Sequence, residues 1–573
     1  MEPRRSTRAA SAKPPSKPAP KAAPKKATSE KPPSRARAAV SKKRAASPEG
    51  DPSPPPKRAK GEEQNIAPTK SKPNSKATGK SAAEHAKRSR TTKPKLAPVP
   101  EQETPAAEPK PSKPAHVQVK PYLNPLPSPP EKVRPGLQLF VWGAGNFGQF
   151  GLGPDALDEF DKPKKHSWAE KQMQEGAFGE EGAGLEEVAG GGMHSLFIDE
   201  KGTIWSCGLN DDAALGRVTQ NVPDPNKPGS FLDIDELSSF PHPLQTLVDE
   251  GFRAVKIATG DSICAAVNDK GELRVWGSFR VDTTCQVNEG SLGFANGLKH
   301  QFIPVSILNE SLSHRPGDAE KISDITAGVN HLLVLTTHGN IYTWGAGEQA
   351  QLGRKVLERR KIHGTVPEKV SLGSRTRKAK VIGAGSFHSF AVDDKGDVWG
   401  WGLNSMGQVG IGSASEEDAQ VQLPTKVERL SKEALDGDVV VQISGGEHHT
   451  LFLTQSGKVF AVGRSNAGQI GLPDDDPAFK DRADPDFVTE PVQVKFPDDD
   501  DPVVHISVGT HNNLATTKDG ALYCWGQGTQ GELGVSDVEV KTPRMIVRRE
   551  GGSWAAIKVA CGGQHTLGLF RKK

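Results

Sequence analysis

The stretch FHSFAVDDKGDVWGWGLNSMGQVG, residues 387–410, contains five glycines within a pattern that otherwise predicts two β-strands. Phe390 and Val392 alternate with other residues, as on one face of a strand, and a second apolar run follows them. Between the two runs we expect Gly396 to supply the positive φ of a hairpin turn. We expect Gly402 to lie where the chain comes close to its neighbours and a Cβ would crowd them.

The hairpin pattern recurs along the chain at a nearly fixed period. A histidine, or Ile263 or Asn512 in its place, is followed eight residues later by a glycine and six residues after that by a second glycine. We call this first position the repeat histidine. The second glycines stand 65, 69, 68, 57, 61 and 63 residues apart, at positions 143, 208, 277, 345, 402, 463 and 526.

The number and spacing of the units predict the fold class. One unit per sixty-odd residues fits a four-stranded blade, and a fixed-period array of this kind favours a β-propeller. The unit at 141–143 lacks its first half, and the chain ends on a first half at 559–569, so the two complete one unit. We therefore predict an all-β, seven-bladed β-propeller over residues 136–573, closed by pairing of the N- and C-terminal strands. Blade one contains His194, the later units follow in order, and the split unit is blade seven.

The first hundred residues differ sharply from the rest in charge. They carry 26 Lys and Arg against 7 Asp and Glu, which leaves 74 − 26 = 48 basic and 70 − 7 = 63 acidic residues elsewhere. They also hold 18 of the 46 prolines and no aromatic residue. Such a segment buries too little apolar surface to offset its ordering entropy, so we expect disorder over 1–100 and a Pro-rich linker over 101–135. The acidic remainder would favour a basic partner.

Several function classes lack support in the sequence. The five cysteines contain no CxxC pair, which argues against a zinc site or a disulfide framework. No apolar run approaches 20 residues, and no secretory signal pattern begins the chain. We expect no metal, no cofactor, no membrane contact and no covalent catalyst.

The same repeats resemble a known family. The segments GGMHSLFIDEKGTIWSCG, AGVNHLLVLTTHGNIYTWGAGEQAQLGR and SGGEHHTLFLTQSGKVFAVGRSNAGQIGL are similar to repeats of the regulator of chromosome condensation, in a fungal-like form with a long basic tail. The resemblance covers the whole propeller. It implies a guanine-nucleotide exchange factor for the small GTPase Ran, acting in the nucleus on chromatin and without covalent chemistry.

The resemblance and the departures from the repeat together select residues for contact with the GTPase. The residues just before the repeat histidine vary from blade to blade, and equivalent strand ends should place them on one face of the disc. Asn330 and Asn146 stand where the family commonly has aspartate. We expect the repeat histidines of blades three to five to make structural hydrogen bonds. The predicted contact residues are Asp261, Asn330, His448, His194, His565 and Asn146.

Blade two departs most from the repeat. Its Trp-Gly is followed by SFRVDTTCQVNEGSLGF, residues 278–294, without the compact GQxG turn of other units. Extra residues at a fixed point must protrude, and the family has a wedge here that presses on the GTPase. The predicted wedge residues are Phe279, Arg280, Val281, Asp282, Asn288, Glu289 and Gly290.

Basic clusters predict two further kinds of contact. Two clusters in the tail, about a dozen residues apart, predict a bipartite signal for a nuclear import receptor, at Lys42, Lys43, Arg44, Lys57, Arg58 and Lys60. The same tail, lacking aromatics, should contact only the DNA phosphate backbone. Between blades three and four, the family implies docking on the histone surface of the nucleosome through Arg375, Arg377 and Lys378.

Two other functions remain open on sequence grounds. A non-catalytic, chromatin-bound propeller scaffold has the same features, and the two Asp-to-Asn departures favour it. A light sensor resembling the plant ultraviolet-B receptor shares the repeat, but its Gly-Trp-Arg-His-Thr motifs are absent from this chain.

Overall fold

The structure is a computed structural model, and it describes residues 120–279, 294, 297–357, 364–480, 482 and 484–573. The expected disordered tail, most of the predicted wedge and the predicted import signal lie outside these residues. Within the described residues, no helix is long and apolar enough to span a membrane.

Seven antiparallel sheets of four strands form the blades of the propeller, as predicted. Blade one consists of Leu185–Gly190, His194–Asp199, Ile204–Gly208 and His242–Pro243. Blade two consists of Ala254–Thr259, Ile263–Asn268, Leu273–Gly277 and Gln301–Val305. Blade three consists of Ile322–Ala327, His331–Thr336, Ile341–Gly345 and Glu368–Val370. Blade four consists of Ala379–Ala384, His388–Asp393, Val398–Leu403 and Gln420–Lys426.

The remaining blades complete the ring. Blade five consists of Val440–Gly445, His449–Thr454, Val459–Arg464 and Phe487–Val494. Blade six consists of Val503–Val508, Asn512–Thr517, Leu522–Gln527 and Glu539–Val547. Blade seven consists of Trp554–Cys561, His565–Lys572, Gln138–Gly143 and Phe160–Lys165. Smaller elements are the helices Ser167–Gln174, Ile234–Ser239 and Gln245–Asp249, the 3₁₀ turns Asn309–Ser311, Glu428–Leu430 and Pro477–Phe479, and the strand pair His314–Arg315 and Asp318–Ala319.

Blade seven closes the ring as the split repeat predicted. Strand Gln138–Gly143 pairs antiparallel with His565–Lys572, with Val141 opposite Leu567 and Gly143 opposite His565. The first strand of each blade contacts the first strand of both neighbouring blades all the way round. These first strands therefore line the central channel.

The opening hairpin shows why its glycines are needed. Phe390 pairs with Gly400 across the hairpin of blade four, and Gly396 has a φ of 90° in the turn. Gly402 has a φ of 107°, and a Cβ there would lie 2.6 Å from the carbonyl oxygen of Phe387. The positive φ angles and the close approach both exclude a larger side chain. The prediction of a hairpin turn at Gly396 and a close approach at Gly402 is therefore confirmed.

The core lies between the blades and is rich in aromatic side chains. Five tryptophans that directly precede the second glycine of their units are fully buried: Trp142, Trp276, Trp344, Trp401 and Trp525. At the boundary of blades four and five, the rings of Phe390 and Phe452 meet edge to face at 5.1 Å. Packing of this kind fixes each blade against the next.

Residues 120–135, part of the expected linker, pack on the propeller. The Asn124 side chain donates to the carbonyls of Thr336 and Ala379, which joins blade three to blade four. Farther along, Arg134 forms a two-pronged ion pair with Glu200 of blade one, at 2.8 and 2.9 Å. This segment also lines a cavity of about 430 Å³ at one mouth of the channel.

Candidate partner-binding face

One face of the disc carries the residues that precede the repeat histidines. In every blade, the strand that begins with the repeat position pairs with the strand that has the second glycine at or next to its end, as His388 pairs with Gly402. The residue pairs that precede the repeat position therefore lie at one edge of all blades, at 192–193, 261–262, 329–330, 386–387, 447–448, 510–511 and 563–564. We call this surface the loop face, and the side reached by the hairpin turns the opposite face.

Hydrogen bonds join the blades around the channel on the loop face, six of them between main-chain groups and one donated by the Thr510 hydroxyl. Each blade contacts the next through one hydrogen bond from this edge. The pairs are Gly192 N to Asp261 O (3.3 Å), Asp261 N to Val329 O (2.9 Å), Val329 N to Ser386 O (3.1 Å), Ser386 N to Gly446 O (2.9 Å), Glu447 N to Thr510 O (3.2 Å), Thr510 Oγ1 to Gly563 O (3.2 Å) and Gly563 N to Gly191 O (2.9 Å). This closed ring holds the loop face rigid around a central cavity of about 180 Å³.

The repeat histidines make hydrogen bonds between blades beneath this face. Nε2 of His388 lies 2.7 Å from Oγ1 of Thr450, whose hydroxyl donates to the carbonyl of Gln408. Because that hydroxyl has only one hydrogen, Nε2 of His388 must be the donor to it. His331 makes the same contact with Ser389 at 2.8 Å, and His449 contacts Oδ1 of Asn513 at 3.0 Å. We call this arrangement the histidine relay.

Burial keeps the relay histidines neutral. The His388 ring is fully buried, and burial lowers its pKa to about 3. The pKa values of His331 and His449 are lowered to about 3, also chiefly by burial. A Cβ at Gly385 would lie 2.2 Å from Cε1 of His388, so glycine three residues earlier makes room for the ring. The structural role predicted for these three histidines agrees with this placement.

His194 and His565 belong to the same relay, although the family resemblance predicted contact with the GTPase. His194 is 1% exposed, and its Nε2 lies 3.0 Å from Sγ of Cys264. His565 is fully buried, and its Nε2 lies 2.9 Å from Oγ of Ser195. Both rings lie below the loop face and are covered by protein. Their placement gives them a role in supporting the face, and the contact with the GTPase stays a prediction.

Asp261 and Asn330 lie on the loop face at the boundaries of blade two. The main chain of Asp261 joins blade one to blade three, and its Oδ1 lies over Gly192, where a Cβ would be 2.1 Å away. Asn330 is partly exposed, yet its Oδ1 is buried without a hydrogen-bond partner among the described residues. Asp261 lines the central cavity, and Asn330 directly follows Val329, which lines it on the adjacent blade.

A polar cluster surrounds His448 on blades five and six. The carboxylate of Glu447 lies 3.7 Å from Nε2 of His448 and 3.6 Å from Nε2 of His511. Burial lowers the pKa of both histidines, while the Glu447 carboxylate opposes that effect and the Arg464 guanidinium adds to it. Glu447, His448 and His511 all lie in the residue pairs that precede the repeat position, but only His448 was among the predicted contacts.

Asn146 lies at the edge of the loop face between blades seven and one. It is exposed and lines a cavity of about 310 Å³ together with Phe147, Leu157 and Ile234. These three apolar side chains are 44%, 41% and 43% exposed. Sequence reasoning missed them, and the signal was available in the long polar insertion of blade one that contains Ile234.

Phe279 is the one predicted wedge residue that the structure describes. It is fully buried, and its ring lies 5.3 Å from that of Phe294. The wedge prediction for the other residues falls outside the described part of the chain, at Arg280, Val281, Asp282, Asn288, Glu289 and Gly290.

The predicted nucleosome-binding residues lie on the opposite face. They directly precede strand Ala379–Ala384, whose other end reaches the loop face. Arg375 is exposed, whereas Arg377 pairs with Asp393 and Asp397 and stacks over Trp399. Lys378 donates to Oδ1 of Asn340 at 2.7 Å. Arg375 is thus the most exposed of the three, Arg377 and Lys378 are partly exposed, and docking of all three on a partner stays a prediction.

The described residues contain no cluster of metal ligands. Among them, no three His, Cys, Asp or Glu side chains are arranged to hold a metal ion. The described cysteines are free, and burial raises the pKa of Cys207, Cys524 and Cys561 to about 12. These thiols are therefore neutral at physiological pH and pack as small apolar groups.

Known proteins share both the repeat and the disc. A family model described as the RCC1-like domain matches residues 138–568. Protein pim1 of Schizosaccharomyces pombe is 34% identical over 453 residues, covering 78% of this chain and 76% of pim1. The guanine nucleotide exchange factor SRM1 of Saccharomyces cerevisiae is 32% identical over 457 residues, covering 75% of this chain and 86% of SRM1.

A solved structure shares the disc as well. It is the crystal structure of Prp20p from Saccharomyces cerevisiae, described with its binding properties to Gsp1p and histones. It superposes with a TM-score of 0.63 at 29% sequence identity, and the match covers 79% of this chain and 93% of Prp20p. The family predicted from the repeats is thereby confirmed, and this chain belongs to the RCC1-like domain family.

Proposed function

We propose that this chain is a guanine-nucleotide exchange factor for the small GTPase Ran. The observation that carries the proposal is family membership across the whole propeller, with polar side chains at equivalent strand ends on one rigid face. Asp261, Asn330 and His448 stand on blades two, three and five of that face. SRM1, which is named as an exchange factor, supports the activity.

The activity needs no bond to be made or broken in the exchange factor. A protein that binds the nucleotide-free GTPase more tightly than the nucleotide-bound form lowers the affinity for nucleotide by the same factor. A hundredfold effect corresponds to about 2.7 kcal/mol, a modest share of a protein interface. In our proposal, the loop face holds Ran in register while the blade-two segment presses beside the nucleotide.

Chromatin attachment would use surfaces away from the loop face. Arg375 lies on the opposite face, so a histone surface bound there leaves the loop face open to Ran. The basic tail would add salt-dependent contact with DNA phosphates and carry the nuclear import signal. The histone binding described for Prp20p supports this arrangement, and it implies a nuclear, chromatin-associated protein.

A non-catalytic chromatin scaffold is the second candidate. The observation in its favour is the pair Asn146 and Asn330, which lack the negative charge that the family commonly has at these positions. A scaffold would bind Ran, or another protein, with equal affinity whatever the nucleotide state.

The two candidates differ in how affinity depends on bound nucleotide. The test is titration of purified full-length chain against nucleotide-free Ran and against GDP-bound Ran. We expect at least hundredfold tighter binding to the nucleotide-free form. Equal affinity for the two forms would reject exchange activity and favour the scaffold.

A further inference from the structure

Among the described residues, the boundary between blades two and three keeps the bond from Asp261 N to Val329 O and the ion pair between Lys256 and Asp324, but it lacks the side-chain contacts to a loop carbonyl that join the other blades. At the boundary of blades three and four, the carbonyl of Gln351 accepts from Oγ of Ser389 at 2.8 Å and from Nε1 of Trp401 at 2.9 Å. Equivalent carbonyls accept side-chain donors at the five remaining boundaries, at Gln149, Ala214, Gln408, Gln469 and Glu532.

At the exceptional boundary every partner of the relay is replaced. Ile263 stands in place of the repeat histidine, and Leu332 stands in place of the polar side chain that contacts the histidine at other boundaries. The indole nitrogen of Trp344 is buried with no hydrogen-bond partner in the described part of the chain. Both side chains of the relay are therefore replaced by apolar ones at the same seam.

Phe279 occupies the place that the compact loop takes elsewhere. A Cβ at Gly402 would lie 3.2 Å from Cα of Gln351, and the same is true of Gly463 and Gln408. At the corresponding Gly345, the nearby atom is instead Cδ1 of Phe279, at 3.1 Å. The aromatic ring has thus replaced main chain at this point, where Phe279, Phe294, Ile263, Leu332 and Trp344 form one buried cluster.

We propose that Phe279 and Phe294, the described residues that flank residues 280–293 of the blade-two segment, are positioning residues that fix the chain on either side of it in the seam between blades two and three. The two rings are in contact at 5.3 Å and are 0% and 2% exposed, so the ends of the segment are held together inside the core. This explains why the relay is absent at this seam, because Ile263 and Leu332 supply apolar surface for the rings. The inference rests on the proposed function, since it assigns these residues to the exchange step.

The test compares Phe279→Ala with Phe452→Ala, a matched control from the aromatic pair at the boundary of blades four and five. Both substitutions remove a fully buried ring from a blade boundary, so both should lower the thermal unfolding temperature. Only Phe279→Ala should reduce kcat for nucleotide release from Ran, by at least tenfold, with KM changed less than threefold. Phe279→Leu should restore most of kcat. An equal loss in the two alanine variants would overturn the proposal.

A second measurement separates this inference from the proposed function. Arg280 directly follows Phe279, so trypsin cleavage after Arg280, followed by mass spectrometry, reports on the anchoring itself. We expect Phe279→Ala to raise the cleavage rate at least tenfold over both the unsubstituted protein and Phe452→Ala. An unsubstituted protein with no exchange activity but with this protease response would reject the function and keep the anchor. Equal cleavage in the two variants would reject the anchor.

Discussion

Nε2 of His388 donates a hydrogen bond of 2.7 Å to Oγ1 of Thr450, and this bond joins blade four to blade five in the interior of the disc. The Thr450 hydroxyl in turn donates a hydrogen bond of 2.8 Å to the carbonyl oxygen of Gln408. One neutral imidazole therefore links two blades and the loop of its own blade. The repeat histidine recurs within this chain because it packs between blades, and we propose that contact with a partner falls on the residues just before it.

Removal of this relay contact should destabilise the propeller. For His388→Ala we expect a loss of about 2–4 kcal/mol in the free energy of unfolding, because it leaves a cavity and an unmatched hydroxyl. Thr450→Val should cost about 1–2 kcal/mol. Denaturant unfolding measures both, with exposed His314→Ala as a control that should change stability by less than about 0.5 kcal/mol. A His388→Ala variant as stable as the control would contradict the relay.

Stability should fall steeply with pH below about 6.5. Burial lowers the pKa to about 3 in His331, His388, His449 and His565 and to about 4 in His194, whereas an unfolded histidine has a pKa of about 6.5. The unfolded chain therefore binds more protons, so stability is present above pH 6.5 and is lost as the pH falls toward the folded values. Each histidine should contribute about 1 kcal/mol of loss between pH 6.5 and 5.5.

Proton uptake on unfolding checks this dependence directly. At pH 5.5 each relay histidine should take up about 0.9 proton on unfolding. His388→Gln, which removes one such group, should lower the measured uptake by that amount. An unchanged uptake in the variant would show that the His388 imidazole is already protonated in the folded protein.

Substitutions on the loop face should reduce exchange without unfolding the disc. We expect Asp261→Ala and His448→Ala each to lower kcat/KM for nucleotide release by roughly 10- to 100-fold, which corresponds to about 1.4–2.7 kcal/mol. Asn330→Asp should raise the rate, if the negative charge common in the family favours the basic partner. Stopped-flow release of labelled nucleotide measures all three, and far-ultraviolet circular dichroism confirms that they fold. Wild-type rates in both alanine variants would remove the loop face from the interface.

The two arginines before blade four should respond differently to substitution. Arg375→Ala removes an exposed side chain and should weaken nucleosome binding while leaving the unfolding temperature unchanged. Arg377→Ala breaks the contacts with Asp393, Asp397 and Trp399, so it should lower the unfolding temperature. Nucleosome gel-shift titration and thermal unfolding measure the two effects. Equal nucleosome affinity for Arg375→Ala and the unsubstituted protein would contradict the proposed docking.

The repeat was sufficient to predict the architecture. Gly396 and Gly402 have the positive φ that their positions require, and the half-repeats at Val141 and Leu567 pair as expected. These features are local in sequence or recur at a fixed period. They are therefore visible in a single chain without any knowledge of its contacts.

Contacts between different units were much harder to predict. The partner of the repeat histidine is a cysteine at Cys264, a serine at Ser195 and a threonine at Thr450, so no residue pattern marks the relay. Burial of His194 follows from that relay, so it could not be predicted from the place of this residue in the repeat. Asn124 looked like part of a proline-rich linker, because its two acceptors lie more than 200 residues away.

The most direct test of the account is release of fluorescent guanine nucleotide from purified Ran, with this protein present at one-tenth of the GTPase concentration and with excess competing nucleotide. The account predicts rapid release of the whole bound pool, because each molecule of the exchange factor acts repeatedly. Release at the rate of Ran alone, with the propeller shown to be folded, would contradict exchange activity and identify Asn146 and Asn330 as the first positions to restore to aspartate.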